Sequence, residues 1–160
     1  MAAVSAHPIA ELLQCPPETS GLLSSAAQCL QIAPGEAAFR QQDPCRGLYV
    51  VVAGEFLRKT ERMSMRVTLG SVRAGEIVEL AAALSGAPHT YTLTALVEST
   101  LMMLPIDALH RAFEEFPPLR MNLLEELARE VSRAYVSCYR ARVLPMRRRR
   151  GELGAPEASL

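Results

Sequence analysis

The chain has 160 residues, of which 49% are hydrophobic, which is enough for one good core but not for two full domains and a linker. Seventeen Lys and Arg residues balance seventeen Asp and Glu residues, so no overall field attracts the protein to nucleic acid or to an anionic membrane. No run approaches the roughly twenty apolar residues that span a bilayer, and the N-terminus lacks the pattern of a signal peptide. We therefore expect a cytoplasmic protein with no membrane partner.

The N-terminal residues carry two short helical patterns, at 8–15 and at about 18–29, separated by Pro16 and Pro17, which cannot continue a helix. The apolar residues at helical intervals are Ile9, Leu12, Leu13, Leu22, Leu23, Ala26 and Cys29. From Leu30 to Leu104 the pattern changes to short strands with frequent turns. The predicted strands are 30–32, 48–52, 55–60, 65–72, 91–97 and 100–104. Many short strands of this kind predict a β-barrel or a sandwich.

Residues 34–56, PGEAAFRQQDPCRGLYVVVAGEF, alternate turn residues with strand residues at fixed intervals. Pro34-Gly35 and Asp43-Pro44 each favour a chain reversal, and Gly54 allows the turn of a hairpin. The apolar run from Leu48 to Val52 is typical of a strand that is covered on both faces. This segment resembles the cyclic-nucleotide-binding domain of the catabolite-activator and fumarate-nitrate-reductase (CRP/FNR) regulators, although Gln42 stands where that family has glycine.

The resemblance implies a mainly β fold with flanking helices, namely a double-stranded β-helix (jelly roll) followed by a long C-terminal dimer helix. It divides the chain into lead-in helices (1–29), a β-roll sensor domain (30–116), a dimerisation helix (117–143) and a basic tail (144–160) whose composition predicts disorder. Regulators of this family carry a helix-turn-helix after the long helix, and the residues after 143 are too few to form one. We therefore expect no direct sequence-specific DNA binding, whether the chain is a stand-alone sensor or a truncated regulator.

Two helices are predicted after the strands, one over 105–113 with Pro105 at its entry and a longer one that runs to about Val143. In the longer helix, apolar residues recur in steps of three and four and form what we call the heptad seam: Leu124, Leu127, Val131, Ala134, Cys138 and Ala141. The helix either lies only on the β-roll or pairs with a second copy. We favour a homodimer, because Leu119 and Leu123 can cover the roll while the heptad seam meets a partner.

The segment GEIVELAAALSGAPHTY, residues 75–91, resembles the phosphate-binding cassette of the same family, and we call it the cassette. In that family, helix N-terminal amides face the phosphate, an arginine pairs with it, and a glutamate accepts from the ribose hydroxyl. Counted without gaps, Glu79 takes the place of the second glycine, Leu80 that of the glutamate and His89 that of the arginine. Leucine accepts no hydrogen bond and histidine lacks the guanidinium fork, so tight cyclic-nucleotide binding is disfavoured.

The candidate ligand pocket implied by this resemblance comprises Gly75, Glu76, Glu79, Leu80, His89, Thr90 and Tyr91. Several alternatives remain open within it. A one-residue slip would return Glu79 to the glutamate position, but it would not supply an arginine. His89 is either a ligand contact or a surface histidine after Pro88, and Glu76 is either a ligand contact or a local cap of backbone amides. Arg73 either reaches into the pocket or, as we favour, lies solvated at a strand end.

The resemblance also raises two cofactors that some relatives carry. Cys15, Cys29, Cys45 and Cys138 are candidate iron–sulfur ligands, but none forms a Cys-x-x-Cys pair, and free thiols in a reducing compartment fit the spacing better. Haem ligands would come from scattered histidines or from two strand methionines, which are more typical of a core. These residues are His7, His89, His110, Met102 and Met103. We therefore predict no metal and no cofactor.

The sequence also carries no nucleophile, phosphate-loop or metalloprotease motif, so we expect no enzymatic activity. The leading hypothesis is a dimeric sensor or regulatory module of the CRP/FNR type, in transcriptional or signalling control, whose small-molecule effector is unknown. The alternative is a ligand-free scaffold whose long helix and arginine tail bind another protein or nucleic acid.

Overall fold

The computed structural model describes residues 6–143, with side chains described from 9 to 136. The predicted disordered tail and the seam residues Cys138 and Ala141 therefore lie outside the described side chains. The described helices are α1 (Ala6–Leu13), α2 (Pro17–Ala26), α3 (Leu80–Ser85), α4 (Ile106–Glu115) and α5 (Pro118–Val143). The described strands are β1 (Gln28–Ile32), β2 (Ala37–Phe39), β3 (Gly47–Ala53), β4 (Glu55–Arg62), β5 (Met65–Arg73), β6 (Ile77–Val78), β7 (Thr92–Ala95) and β8 (Ser99–Pro105).

The strands form two antiparallel four-stranded sheets, ordered β1-β8-β3-β6 and β2-β7-β4-β5. This arrangement confirms the predicted jelly roll with flanking helices. Alternate residues of β3 enter two different cores, as its apolar run predicts: Leu48 and Val50 face the helices, whereas Tyr49 and Val51 face the second sheet. A strand that buries both faces has little room for polar side chains, which explains its composition.

Two hydrophobic cores hold the fold together. The sheet core lies within the roll and contains Phe39, Tyr49, Val51, Phe56, Val72, Val78, Tyr91, Leu93, Ala95, Leu101 and Met103. The helical core joins the helices to β3 and β8 and includes Ile9, Leu13, Leu23, Leu48, Val50, Leu80, Met102, Leu104, Leu109, Leu119 and Leu123. The burial of Met102 and Met103 confirms that these methionines fill cores, and Leu119 and Leu123 anchor α5 as predicted.

Several predicted boundaries differ from the structure, and α1 spans Ala6–Leu13 rather than 8–15. The second helical pattern was expected to run to about residue 29, but α2 ends at Ala26, and Cys29 lies on β1 opposite Met102. Extended backbone at Ala27 directs the chain into the sheet, where pairing with β8 outweighs a weak helical pattern. The strand predicted over 91–97 is also shorter, because only Thr92–Ala95 pairs with neighbouring strands.

The chain divides into two compact units, Met1–Leu127 and Ala128–Leu160. The first contains both sheets, both cores and the first turns of α5. In the second, the described side chains are mostly exposed, including Val131, Tyr135 and Val136. No helix in the described part of the chain combines the length and apolar character needed to cross a membrane.

Candidate functional site

The cassette begins at a surface turn. Gly75 adopts a φ of 91° and the exposed Glu76 follows it. A Glu76 carboxylate oxygen accepts a 2.6 Å hydrogen bond from the backbone N–H of Arg73, so this side chain caps the turn that it belongs to. The local-cap interpretation of Glu76 therefore agrees with the geometry.

Glu79 is the buried centre of the cassette. Its backbone has a φ of 61° immediately before α3, the left-handed region that favours glycine, which agrees with its alignment to a family glycine. Its side chain is 1% exposed, and one carboxylate oxygen accepts a 2.7 Å hydrogen bond from the Thr90 hydroxyl. The Thr90 N–H donates to both carboxylate oxygens at 3.2 and 3.3 Å. Glu79 thus links the middle of the cassette to its C-terminal end through hydrogen bonds with Thr90.

His89 completes this network from the other side. Its Nδ1 lies 3.2 Å from a carboxylate oxygen of Glu79, and the side chain is 1% exposed. The ring stacks on Phe39 with centroids 3.8 Å apart and an angle of 7° between planes. The alternative of a surface histidine is therefore wrong, because the β2 strand covers the ring.

The turn at Asp43-Pro44 fixes the backbone of His89. The backbone carbonyl of Asp43 accepts a 2.9 Å hydrogen bond from the His89 N–H, and the Gln42 N–H donates to the His89 carbonyl at 2.9 Å. Gln42 has a φ of 73°, which agrees with its standing at a family glycine position. The reciprocal pair of bonds holds His89 where its ring can reach both Phe39 and Glu79.

Leu80 and Tyr91, the two remaining candidate residues next to this network, are both buried. Leu80 is 2% exposed and packs in the helical core, so the position of the family's ribose glutamate is occupied by a core residue. Tyr91 is 8% exposed, and its hydroxyl accepts the Glu79 backbone N–H at 3.1 Å. The structure therefore brings Glu79, His89, Thr90 and Tyr91 together. That they bind a ligand stays a prediction.

Burial also affects the ionisable groups beside this network. Burial raises the pKa of the Cys45 thiol, and the Glu79 carboxylate adds a smaller increase in the same direction. The pKa of Tyr49 is raised as well, first by burial, with the Cys45 and Glu79 charges as smaller causes. The Cys45 and Tyr49 side chains beside Glu79 are therefore partly shielded from solvent.

Arg58 is the residue beside the cassette that sequence reasoning missed. It lies on β4, two residues after the buried Phe56 and opposite Gly70, at a bulge of the β4–β5 pair. Its guanidinium carbon is 5.9 Å from the centre of the Tyr91 ring, and one Nη donates to the Leu69 carbonyl at 3.3 Å. The signal was its position two residues after Phe56, since side chains at i and i+2 of a strand share a face.

Arg73, the arginine that the sequence analysis considered for the pocket, lies at the surface beside Glu55. Its side chain is 74% exposed, and its Nε is 3.4 Å from a carboxylate oxygen of Glu55. The pKa of that carboxyl is lowered, first by a hydrogen bond with Ser71 and then by the Arg73 charge. The solvated interpretation of Arg73 is therefore confirmed.

The heptad seam is only partly exposed. Leu124 and Val131 are 39% and 60% exposed, and Ala134 is exposed as well. Leu127, in contrast, is half-buried and packs against the helical core. Among the side chains from 9 to 136, no group of three or more His, Cys, Asp or Glu residues is placed to hold a metal ion.

Comparisons with known proteins agree with this fold. The family model of the cyclic nucleotide-binding domain matches residues 29–116. None of the curated proteins matches the chain at a significant level.

Solved structures of similar fold include regulators and sensor domains. The Thermus thermophilus catabolite activator protein is 22% identical with a TM-score of 0.70, over 82% of this chain and 61% of that one. This chain therefore spans about three fifths of that protein. A cyclic nucleotide-binding domain from Methylobacillus flagellatus is 22% identical with a TM-score of 0.71, over 92% and 86% of the two chains.

A third similar structure is the sensor domain of the Pseudomonas aeruginosa transcriptional regulator DNR. It is 18% identical with a TM-score of 0.68, over 89% of this chain and 96% of that domain. At these identities the structural likeness establishes the fold, while the match to the family model covers more than half of the sequence. The chain belongs to the cyclic nucleotide-binding domain family.

Proposed function

We propose that this chain is a non-enzymatic regulatory domain whose cassette is closed by its own carboxylate and no longer binds cyclic nucleotides. The observation that supports this most directly is the buried Glu79 side chain, which accepts hydrogen bonds from the Thr90 N–H and hydroxyl and contacts His89. These are donors of the kind that an anionic phosphate requires. The chain thus supplies an internal anion at its own cassette.

A phosphate would have to displace this carboxylate to use the same donors. The Glu79 side chain is 1% exposed, so expelling it breaks several charge-assisted hydrogen bonds, each of which contributes roughly 1.5–3 kcal/mol. Leaving Glu79 in place instead puts two negative charges within a few ångströms in a low-dielectric interior. Either outcome opposes phosphate binding.

The other two recognition elements are also altered. Leu80 packs in the helical core and offers no acceptor to a ribose hydroxyl. His89 stacks on Phe39 and lacks the two parallel donors with which an arginine holds a phosphate. The residues at positions 79, 80 and 89 therefore all disfavour cyclic-nucleotide binding.

We further propose that the module acts as a homodimer through α5. Leu119 and Leu123 are buried in the helical core, whereas Leu124 and Val131 are exposed apolar residues on the same helix. Exposed leucine and valine at heptad spacing favour a partner helix. The similar activator and sensor domain belong to regulators by their names, which supports a part in transcriptional or signalling control.

Calorimetric titration with cyclic AMP and cyclic GMP tests the closed cassette. We expect no saturable heat for the wild type, and weak binding after Glu79→Gly combined with His89→Arg, which removes the internal anion and restores a guanidinium. Glu76→Gln is the matched control, since Glu76 is an exposed cassette carboxylate outside the Glu79 network. Micromolar binding of either nucleotide to the wild type would overturn the proposal.

A further inference from the structure

We infer that Arg58 forms a binding site for a small organic carboxylate on the inner face of the β4–β5 pair. The inference rests on the proposed function, because it names the class of ligand that the altered pocket takes in place of a cyclic nucleotide. The residues that carry it are Arg58, Tyr91, Gly70 and Val67.

The guanidinium of Arg58 is a partly buried charge that lacks a counter-charge. Its Nε is buried and has no hydrogen-bond partner among the residues that the structure describes. No carboxylate of that part of the chain lies within ion-pair distance of its nitrogens, and its one hydrogen bond there goes to the Leu69 carbonyl. A buried cationic donor left in this state is unfavourable until an acceptor or an anion reaches it.

The surroundings leave space for such an anion. Gly70 faces Arg58 across the strands, and a Cβ added to it would meet only the Arg58 Nη, at 3.6 Å. Arg58 as a whole keeps intermediate exposure, so solvent reaches the side chain away from the buried Nε. A larger residue than glycine at position 70 would narrow this approach.

The Glu79 network directs an incoming anion to Arg58 rather than to the cassette. Thr90 and His89 already face the Glu79 carboxylate, whereas Arg58 faces the ring of Tyr91, which carries no charge. The Tyr91 hydroxyl is engaged with the Glu79 N–H, so the ring is fixed beneath the guanidinium. Arg58 is therefore a cation beside the cassette that forms no ion pair with a carboxylate of the described residues.

The chemistry favours a carboxylate with an apolar body. A guanidinium fork matches the two oxygens of a planar carboxylate. Thr60 shares a face of the sheet with Arg58, because the two are two residues apart on β4. Val67 pairs with Thr60 on this face and is 42% exposed. The exposed Val67 side chain thus offers apolar surface on the same face of the sheet as the cation, which suits a benzoate-like anion better than inorganic phosphate.

Benzoate is the probe for the test, with acetate and inorganic phosphate as separate arms. We expect a saturable benzoate-dependent shift of the Arg58 Nε resonance in the NMR spectrum of the wild type, with weaker effects of acetate and phosphate. Arg58→Gln should weaken benzoate binding at least about tenfold, and Arg58→Lys should recover only part of it because lysine lacks the fork. Arg73→Gln is the matched control and should leave benzoate binding unchanged.

Two results would overturn the inference: an Arg58 Nε resonance that does not move with benzoate, or equal benzoate binding by wild type and Arg58→Gln. Because the resonance is observed in the wild type, a variant that fails to fold does not remove the test. Stronger binding of phosphate than of benzoate would also contradict the proposed ligand class. Cyclic AMP binding by the wild type would refute the closed cassette alone, so the two failures are distinguishable.

Discussion

The Thr90 hydroxyl donates a 2.7 Å hydrogen bond to the Glu79 carboxylate. This bond connects the residue before α3 to the end of the loop that follows α3. Glu79→Ala leaves the Thr90 N–H and hydroxyl without this acceptor, so we expect the free energy of unfolding to fall by about 2–3 kcal/mol. Glu76→Ala, which removes one surface cap, should cost about 1 kcal/mol or less. Urea unfolding measures the free energy of unfolding of both variants. Equal losses would contradict the claim that the Glu79 hydrogen bonds stabilise the cassette more than the Glu76 cap does.

The stack of His89 on Phe39 is a second source of stability. His89→Ala removes a buried ring with centroid distance 3.8 Å to Phe39, so we expect a loss of roughly 2 kcal/mol or more. His110→Ala is the control, because His110 is exposed on α4 and its loss should change stability by less than about 0.5 kcal/mol. Thermal unfolding compares the two. Similar melting temperatures for both variants would refute the contribution of the stack.

Gly54 forms the β3–β4 turn with a φ of 88° and no space for a side chain. A Cβ there would collide with Ser99, lying 2.6 Å from its Cβ, whereas a Cβ on Gly75, at a φ of 91°, would meet nothing within 4 Å. Both alanine variants bear the cost of the left-handed backbone, roughly 1–2 kcal/mol. Gly54→Ala should lose about 1–3 kcal/mol more through the collision. Chemical denaturation that ranks the two variants equally would contradict this packing.

The exposed apolar residues of α5 predict a dimer. Val131→Asp places a charge in the heptad seam and should shift the wild-type dimer towards monomer in sedimentation velocity. Val97→Asp is the matched control, because Val97 is 49% exposed in the turn before β8 and lies outside the seam. A monomeric wild type, or a dimer that both substitutions dissociate, would contradict dimerisation through the heptad seam.

The pH at which Cys45 reacts with an alkylating agent should depend on the charge of Glu79. Burial raises the pKa of the Cys45 thiol and Glu79 adds to the increase, so the thiolate forms only at a pH above the usual range. Removing that charge by Glu79→Gln should lower the pKa and move the onset of Cys45 alkylation to lower pH. Peptide mapping of alkylated protein across a pH series measures this onset, with Glu76→Gln as the unchanged control. An onset that rises in Glu79→Gln would contradict the sign.

Much of this fold follows from residue pattern. The run from Leu48 to Val52 predicts a strand with two buried faces, and β3 enters both cores from Leu48 to Val51, whereas Val52 is 48% exposed. The proline-marked starts of α4 and α5 also agree with the sequence. These features are local, because turn residues and apolar periodicity act over a few residues.

The site was less predictable because it depends on contacts across the roll. The burial of His89 requires Phe39 from another strand, and its backbone is held by a turn more than forty residues away. The position of Arg58 beside Tyr91 depends on the β4–β7 pairing and on a bulge that no local pattern marks. Alignment to a family glycine drew attention to Glu79 but not to the partners of its carboxylate.

The most direct test of the closed cassette follows the backbone amide of Thr90 in the NMR spectrum of the wild type during a cyclic AMP titration. We predict that the resonance stays in place, because the Thr90 N–H already donates to the Glu79 carboxylate. A saturable shift of the Thr90 amide, with matching loss of its contact to Glu79, would contradict the account.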